Sequence, residues 1–424
     1  MLAPAPAVAA GRPPAPRLRP LPALDLLRLL PADADTIFYW EQPQRGMALL
    51  AVGAAAEGRF RGEGRLRAAA RWWQRVRLEG LPLRLPVAVG GLAFAPRPRR
   101  ERIWRPFADA LWWVPCLLLV RSPEGSCALL FDADDADLER LLSLRPCPDR
   151  PPAFRADPTD DAFAEGVATA LSALCSGAAE KVVLARRLRL RSDGPFHPPP
   201  VLARLRTRYP ECTVFALARG GRWFLGATPE TLLSACGRRV RADCLAGSAP
   251  RGRTPEEDDR LAAALLADAK ERHEHALVVE AAREALAPLC RRLRLPPGPT
   301  VRRLANIQHL HTPVEGELAD ATHLLQVAER LHPTPAVAGH PREAALSLIA
   351  RLEGFDRGWY AGAVGWLDGD GGGELAVAIR SAIVGEGQAV LYAGCGITAR
   401  SDPRREDEES LLKLRPMLEA LGAT

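Results

Sequence analysis

At 424 residues the chain is long enough to bury a large core, and its length alone allows two or three domains. Hydrophobic residues make up 47% and charged residues 25%, which excludes an intrinsically disordered chain. The net charge of +6 comes from arginines spread over the whole length, not from a basic tract interleaved with aromatics, so nucleic-acid binding is not expected.

The first 22 residues are rich in Pro, Ala and Arg and read as a disordered tail. They lack a charged start followed by an unbroken apolar core, so they do not read as a secretory signal. From 23 to 157 short apolar runs at 47–52, 85–94 and 116–120 are broken by Gly and Pro, which predicts a β-rich N-terminal subdomain. A Pro-, Asp- and Arg-rich stretch at 148–158 reads as a linker to a second region, 158–424. That region opens with a helix over 160–175, a strand over 181–190 and a helix over 200–209. Strands at 213–218 and 222–226 follow. Thr254-Pro255-Glu256-Glu257 is a helix start with a Thr cap, Pro at the first helical position and Glu three residues after the cap. Helix continues towards Leu286, with a restart at Asp268. Strands return at 363–367, 374–384 and 389–397, and Ser401-Asp402-Pro403 caps a last helix carrying Glu406, Glu409 and Lys413. The acidic, Gly-rich run from Asp368 to Glu374 has a calcium-loop look, but its place between strands makes it a hairpin turn. No apolar run reaches the ~18 residues of a membrane span.

The nine cysteines are odd in number and none stand at Cys-x-x-Cys spacing, which argues against a disulfide framework or a zinc ribbon and for a reducing cytoplasm. Of 57 basic residues only Lys181, Lys270 and Lys413 are lysines. Guanidinium cannot give up its proton in a protein and an amine can, so a lysine kept in this chain is a candidate for chemistry. The alternative is a solvated surface position. His273 and His275 invite a zinc reading, but i and i+2 on a helix point about 200° apart and cannot grip one ion. Glu274 shares a mixed face with Lys270. Glu409 and Lys413 form an i,i+4 pair that a solvated surface would explain equally well. Arg380 lies in an otherwise apolar run, where a buried arginine needs an anionic partner from the protein or a ligand. Gly394 and Gly396 let a backbone approach closely.

Ten ordered blocks carry a resemblance. They are Glu180-Lys181-Val-Val-Leu-Ala-Arg186, Gly226-Ala-Thr-Pro-Glu230, Leu245-Ala-Gly247-Ser248-Ala-Pro-Arg-Gly252 and Lys270-Glu-Arg-His-Glu-His275. Next come Gln308-His309-Leu310, Leu331-His-Pro-Thr-Pro-Ala336 and Phe355-Asp-Arg-Gly-Trp-Tyr360-Ala-Gly362. Ala378-Ile-Arg380-Ser381, Tyr392-Ala-Gly394-Cys-Gly396-Ile397 and Ser401-Asp-Pro403 complete them. Together they resemble the chorismate-utilising enzymes, over about 158–422, and among them most of all the isochorismate synthases.

The resemblance implies an α+β fold in which large antiparallel sheets are enclosed by helices. It implies a cytoplasmic, Mg²⁺-dependent conversion of chorismate to isochorismate, an isomerisation by water addition at C2 and loss of the C4 hydroxyl. Lys181 would be the general base and Glu230 the general acid. Glu274 and Glu409 would hold the metal, with Glu406 acting through water. Arg380 and Tyr360 would hold the enolpyruvyl carboxylate, and Gly394 and Gly396 would offer backbone N–H groups. Gly247, Ser248, His309 and Lys413 fall at substrate-pocket positions. It implies a monomer without a glutamine amidotransferase subunit, since lysine at the base position belongs to the water-using branch. Such products feed menaquinone, catechol siderophores or salicylate. A salicylate synthase, which goes on to eliminate pyruvate, and a non-catalytic chorismate-binding homologue are the alternatives. The chain departs from the usual pattern at Ser248-Ala249, His311, Ala338, His340, Cys395 and Asp407.

Overall fold

Two antiparallel sheets, of twelve and ten strands, organise residues 13–76, 81, 85–96, 101–145, 154–156, 163–192, 194 and 196–423, which the computed structural model describes. Residues 1–12 of the expected tail, most of the expected linker at 148–158, and the start of the helix expected at 160 lie outside them. With helices packed on both sheets the fold is α+β, as the resemblance implies.

The first third does not stand apart. Ile37–Gln42 pairs with Thr213–Arg219 in the larger sheet, in the register Phe38↔Leu217. Pro86–Leu92 pairs with Ala363–Asp368 in the smaller sheet, in the register Val89↔Trp366. Both apolar cores mix side chains from the two halves of the chain. The division at 157 therefore separates sequence patterns, not folded units. The tail reading also ends earlier than expected. Arg17–Leu21 is a strand paired with Gly125–Leu130, and Arg17 and Arg19 anchor it on Asp135 at 3.1 and 3.0 Å. Two helices interrupt the expected strands, Arg65–Val76 and Asp135–Leu142. Leu66, Ala69, Ala70, Trp73 and Val76 of the first are buried, at the helical spacing of one apolar stripe.

Two features of the second half position the cleft. The first is a double crossover between sheets. Arg222–Thr228 lies in the larger sheet and the next strand, Thr231–Cys236, lies in the smaller. The expected strand 374–384 does the reverse: Gly373–Val377 is in the smaller sheet and Ser381–Gly385 in the larger. The two crossings run side by side. Ala227 N–H donates to Arg380 O at 3.2 Å and Val377 N–H donates to Glu230 O at 3.0 Å. Glu230 and Arg380 thus stand together where the chain leaves one sheet for the other. Arg380 absorbs the break with a left-handed φ of 52°.

The second feature is a pair of helix starts. Asp268 ends Pro255–Ala267 and caps Ala269–Leu286, its carboxylate accepting from Lys270 N and Glu271 N at 2.8 and 3.0 Å. Asp402 caps Pro403–Leu421 in the same way, through Arg404 N and Arg405 N. The first turns of these helices meet, and each carries acidic residues where the helix dipole favours them. Both starts follow the sequence expectation.

Candidate active site

Between these features lies a largely enclosed, polar cleft. Glu230, Gly247, Ser248, Glu274, His309, Tyr360, Arg380, Gly394, Gly396, Glu406, Glu409 and Lys413 all line it. Lys181 is wholly buried directly behind, its Nζ 2.8 Å from Glu274 Oε1. The structure therefore brings together every residue to which the resemblance gives a catalytic, substrate-binding or metal-holding role.

The three lysines of the chain meet at this cleft. Besides the Lys181–Glu274 pair, Lys270 Nζ donates to Glu406 Oε1 at 3.2 Å and lies 3.5 Å from Glu271 Oε1. Lys413 pairs with Glu409 and donates to Gly394 O at 2.9 Å. The Glu409–Lys413 pair is thus part of the cleft and not a solvated surface. Lys413 outweighs burial and holds the Glu409 carboxyl below its usual range. Glu271 and Glu406 go the other way: burial first, then the charge of Glu274 and Glu409 respectively, raises both.

Glu230 is different. It has no ion pair among the described residues, and burial pushes its carboxyl up to about 8 against the opposing pull of Lys181. At neutral pH it carries a proton, which is the state a general acid needs. His309 is held neutral: burial drives its imidazole down to about 3. Its Nδ1 lies 3.2 Å from Gly247 O and 3.0 Å from Ser248 Oγ. A carbonyl only accepts, so Nδ1 carries the proton and Nε2 is left as an acceptor. Gly247, at φ 76°, forms the bulge that offsets Ala246↔Leu310 from Ser248↔His309 and lets Ser248 N–H donate to Glu271 Oε2 at 2.9 Å.

Arg380 is buried, yet its side chain has no ion pair or hydrogen bond among the described residues. A desolvated guanidinium facing a cleft calls for an anionic ligand. Tyr360, stacked on Tyr392 with centroids 5.0 Å apart, keeps its hydroxyl neutral because burial raises it to about 12. The wall beside Lys181 is stapled from below. Arg357, itself buried, donates to Val337 O at 2.9 Å and Val183 O at 2.7 Å and is paired with Glu353. Removing it would strand a buried carboxylate, at a cost of about 3–5 kcal/mol.

Gly394 and Gly396 act by leaving space. A Cβ at Gly394 would lie 3.0 Å from the Tyr360 hydroxyl. A Cβ at Gly396 would lie 2.6 Å from Glu274 Oε1 and 2.9 Å from Lys181 Cε. The carboxylate end of Glu274 would give way before the backbone, so Gly396→Ala should cost about 10²-fold in turnover with little change in melting temperature. Steady-state rates and a thermal melt measure both.

Glu271 and Tyr392 also line the cleft and were not singled out as site residues, while Lys270, marked by the rarity of lysine, carried no assigned role. Glu271 stands three residues before Glu274, a spacing that puts both on one helix face, so the signal was present. The histidine pair binds no common ion: His275 is buried on Thr312 Oγ1 at 2.8 Å, with burial taking it down to about 4, while His273 is exposed. Of the departures from the pattern, only Ser248 lines the cleft. His311 Nε2 pairs with Asp243 at 3.1 Å and Asp407 with Arg186 at 2.6 Å, both outside it. No disulfide joins the cysteines among the described residues, and no helix among them is long and apolar enough to cross a membrane.

The fit of a metal rests on the donors. Oxygens of Glu406 and Glu409 lie with Cys395 Sγ within 4.8 Å of one another, while Glu274 stands outside that group, turned to Lys181. Cys395 donates its thiol to Glu406 O at 3.3 Å, and burial keeps the thiol protonated. The remaining donors are carboxylate oxygens, the set a hard divalent cation takes. Burial and the charge of Glu409 raise the Glu406 carboxyl, a cost that such a cation relieves.

The chain matches the family of chorismate-binding enzymes over residues 15–422. It is 41% identical over 408 residues to the salicylate biosynthesis isochorismate synthase of Pseudomonas aeruginosa, covering 91% of this chain and 84% of that one. It is 34% identical over 412 residues to the isochorismate synthase MenF of Bacillus subtilis, covering 91% and 88%. The solved structure of MenF, the menaquinone-specific isochorismate synthase from Escherichia coli, superposes with a TM-score of 0.80 at 28% identity, over 96% of each chain. With a family match that spans nearly all of the chain and a cleft built from the blocks that carry the resemblance, the chain belongs to the chorismate-binding enzymes.

Proposed function

We propose that the chain is an Mg²⁺-dependent isochorismate synthase. The observation that carries this reading is the presence of a buried lysine and a buried, protonated glutamic acid at one cleft with four carboxylates and an unpartnered arginine. Lys181, in its neutral form, accepts a proton from water as the water oxygen bonds to C2 of chorismate. The ring double bonds shift, the C4–O bond breaks, and Glu230 gives its proton to the departing hydroxyl, which leaves as water. Lys181 Nζ reaches that water only when its 2.8 Å contact with Glu274 opens. Arg380 and Tyr360 hold the enolpyruvyl carboxylate, and the free Nε2 of His309 accepts from the substrate.

Glu274, Glu406 and Glu409 are the residues that would hold Mg²⁺, and the bound ion supplies positive charge for the ring carboxylate. Formal charge supports this. In the resting cleft, before Lys181 gives up its proton, the carboxylates of Glu271, Glu274, Glu406 and Glu409 are balanced by three lysines and Arg380, with Glu230 neutral. A dication added with a dicarboxylate substrate keeps that balance; the substrate alone breaks it. Water as the nucleophile needs no amidotransferase subunit, and a cleft lined by one chain needs no second copy to complete it.

The test is to incubate the purified chain with chorismate and Mg²⁺ near neutral pH and resolve the products. Isochorismate is expected as the main product. Salicylate and pyruvate in equal amounts, without added lyase, would replace this reading with a salicylate synthase. Anthranilate formed on adding ammonium would move the chain to the amine-transferring branch.

A further inference from the structure

Lys270 stands at the second position of the helix Ala269–Leu286 and reaches across to the first turn of Pro403–Leu421. Its side-chain ion partners are both acidic: Glu406 at 3.2 Å and Glu271 at 3.5 Å. Glu406 is only 2% exposed, so without a cation beside it a buried carboxylate would be left uncompensated. The three cleft lysines differ in how they are held. The Lys181 side chain is fully buried, and Lys413, 15% exposed, is also bonded to a backbone carbonyl. The Lys270 side chain is 29% exposed, beside the cleft rim, and is held by carboxylates alone. It is the lysine that can withdraw into water without losing a backbone bond. In a chain that uses arginine at nearly every other basic position, a flexible stem with a compact charge is kept at this one.

We infer that Lys270 is a placeholder cation, which joins the two acidic helix starts in the metal-free protein and competes with the metal for Glu406. The inference rests on the reading of this cluster as the Mg²⁺ site. A positive charge 3.2 Å from one donor must be displaced or repel an arriving dication, so affinity is lower than the oxygens alone would allow. Binding and the Lys270–Glu406 contact then oppose one another. Lys270 is a positioning residue, acting through Glu406.

The experiment is calorimetric titration of the full chain with Mg²⁺ alone, without chorismate, for wild type, Lys270→Met, Lys270→Gln and Lys270→Arg. The two neutral variants should bind Mg²⁺ about tenfold more tightly than wild type, and the arginine variant near the wild-type value. Thermal melts provide a second readout. The neutral variants should melt below wild type without metal, and saturating Mg²⁺ should close the gap. A merely structural lysine would predict weaker or unchanged metal binding on its removal. Neutral variants that bind no more tightly than a wild type that does bind would overturn the inference. A wild type that takes up no Mg²⁺ would overturn the metal site itself, and the inference with it.

Discussion

Lys181→Arg is expected to lower turnover by about 10²–10⁴-fold while the chain remains folded, which is the range a lost general base gives. The substitution keeps the positive charge that now sits 2.8 Å from Glu274, so an electrostatic role would survive it. It removes the capacity to take a proton, because guanidinium does not cycle through a neutral form in a protein. Lys181 has no spare volume around it, with Gly396 against its Cε, so Lys181→Gln is the companion variant that adds no bulk. Both should lose turnover by similar factors while remaining folded. An arginine variant with near-native turnover would make Lys181 a charge and not a base.

Alkaline pH is expected to switch the enzyme off through Glu230. Burial raises this carboxyl to about 8, so it is protonated below that value and charged above it. Only the protonated form can donate to the departing hydroxyl. The sign of its contribution is therefore fixed: loss of the Glu230 proton gives kcat/KM an alkaline limb that falls about tenfold per pH unit beyond about 8. Glu230→Gln removes the proton and the titration together. It should lose about 10²–10³-fold at neutral pH, and its residual rate should no longer fall along that alkaline limb. A wild-type profile flat well above this range would take Glu230 out of the acid role.

Much of the site was legible in the sequence because local spacing carried it. Thr254, Asp268 and Asp402 mark helix starts by residue type, and the structure puts a cap bond at each. The rarity of lysine singled out three positions, and all three reach one cleft. What stayed hidden depends on pairing between distant segments. The run 374–384 is apolar throughout most of its length, so nothing in it marks the change of sheet after Val377 that sets Arg380 at positive φ. Gly394 and Gly396 read as donors of backbone N–H groups, whereas the space they leave for Tyr360, Glu274 and Lys181 shows only once those side chains are in place. Arg17–Leu21 looks like tail until Asp135, far along the chain, supplies its anchor. Arg65–Val76 is a different case. Its apolar stripe was present in the sequence, but the Gly- and Pro-broken runs on either side favoured strands.

The central claim is that Lys181 and Glu230 exchange one hydroxyl for another through water. The direct measurement is turnover of chorismate by the wild-type chain with Mg²⁺ in H₂¹⁸O, stopped early, with mass spectrometry of the isochorismate formed. The account predicts one ¹⁸O per product molecule, located at the new C2 hydroxyl, and no label in unreacted chorismate on first passage. Isochorismate formed without label would mean that the C4 hydroxyl itself migrates, and Lys181 would then be no base towards water and Glu230 no acid towards a departing one.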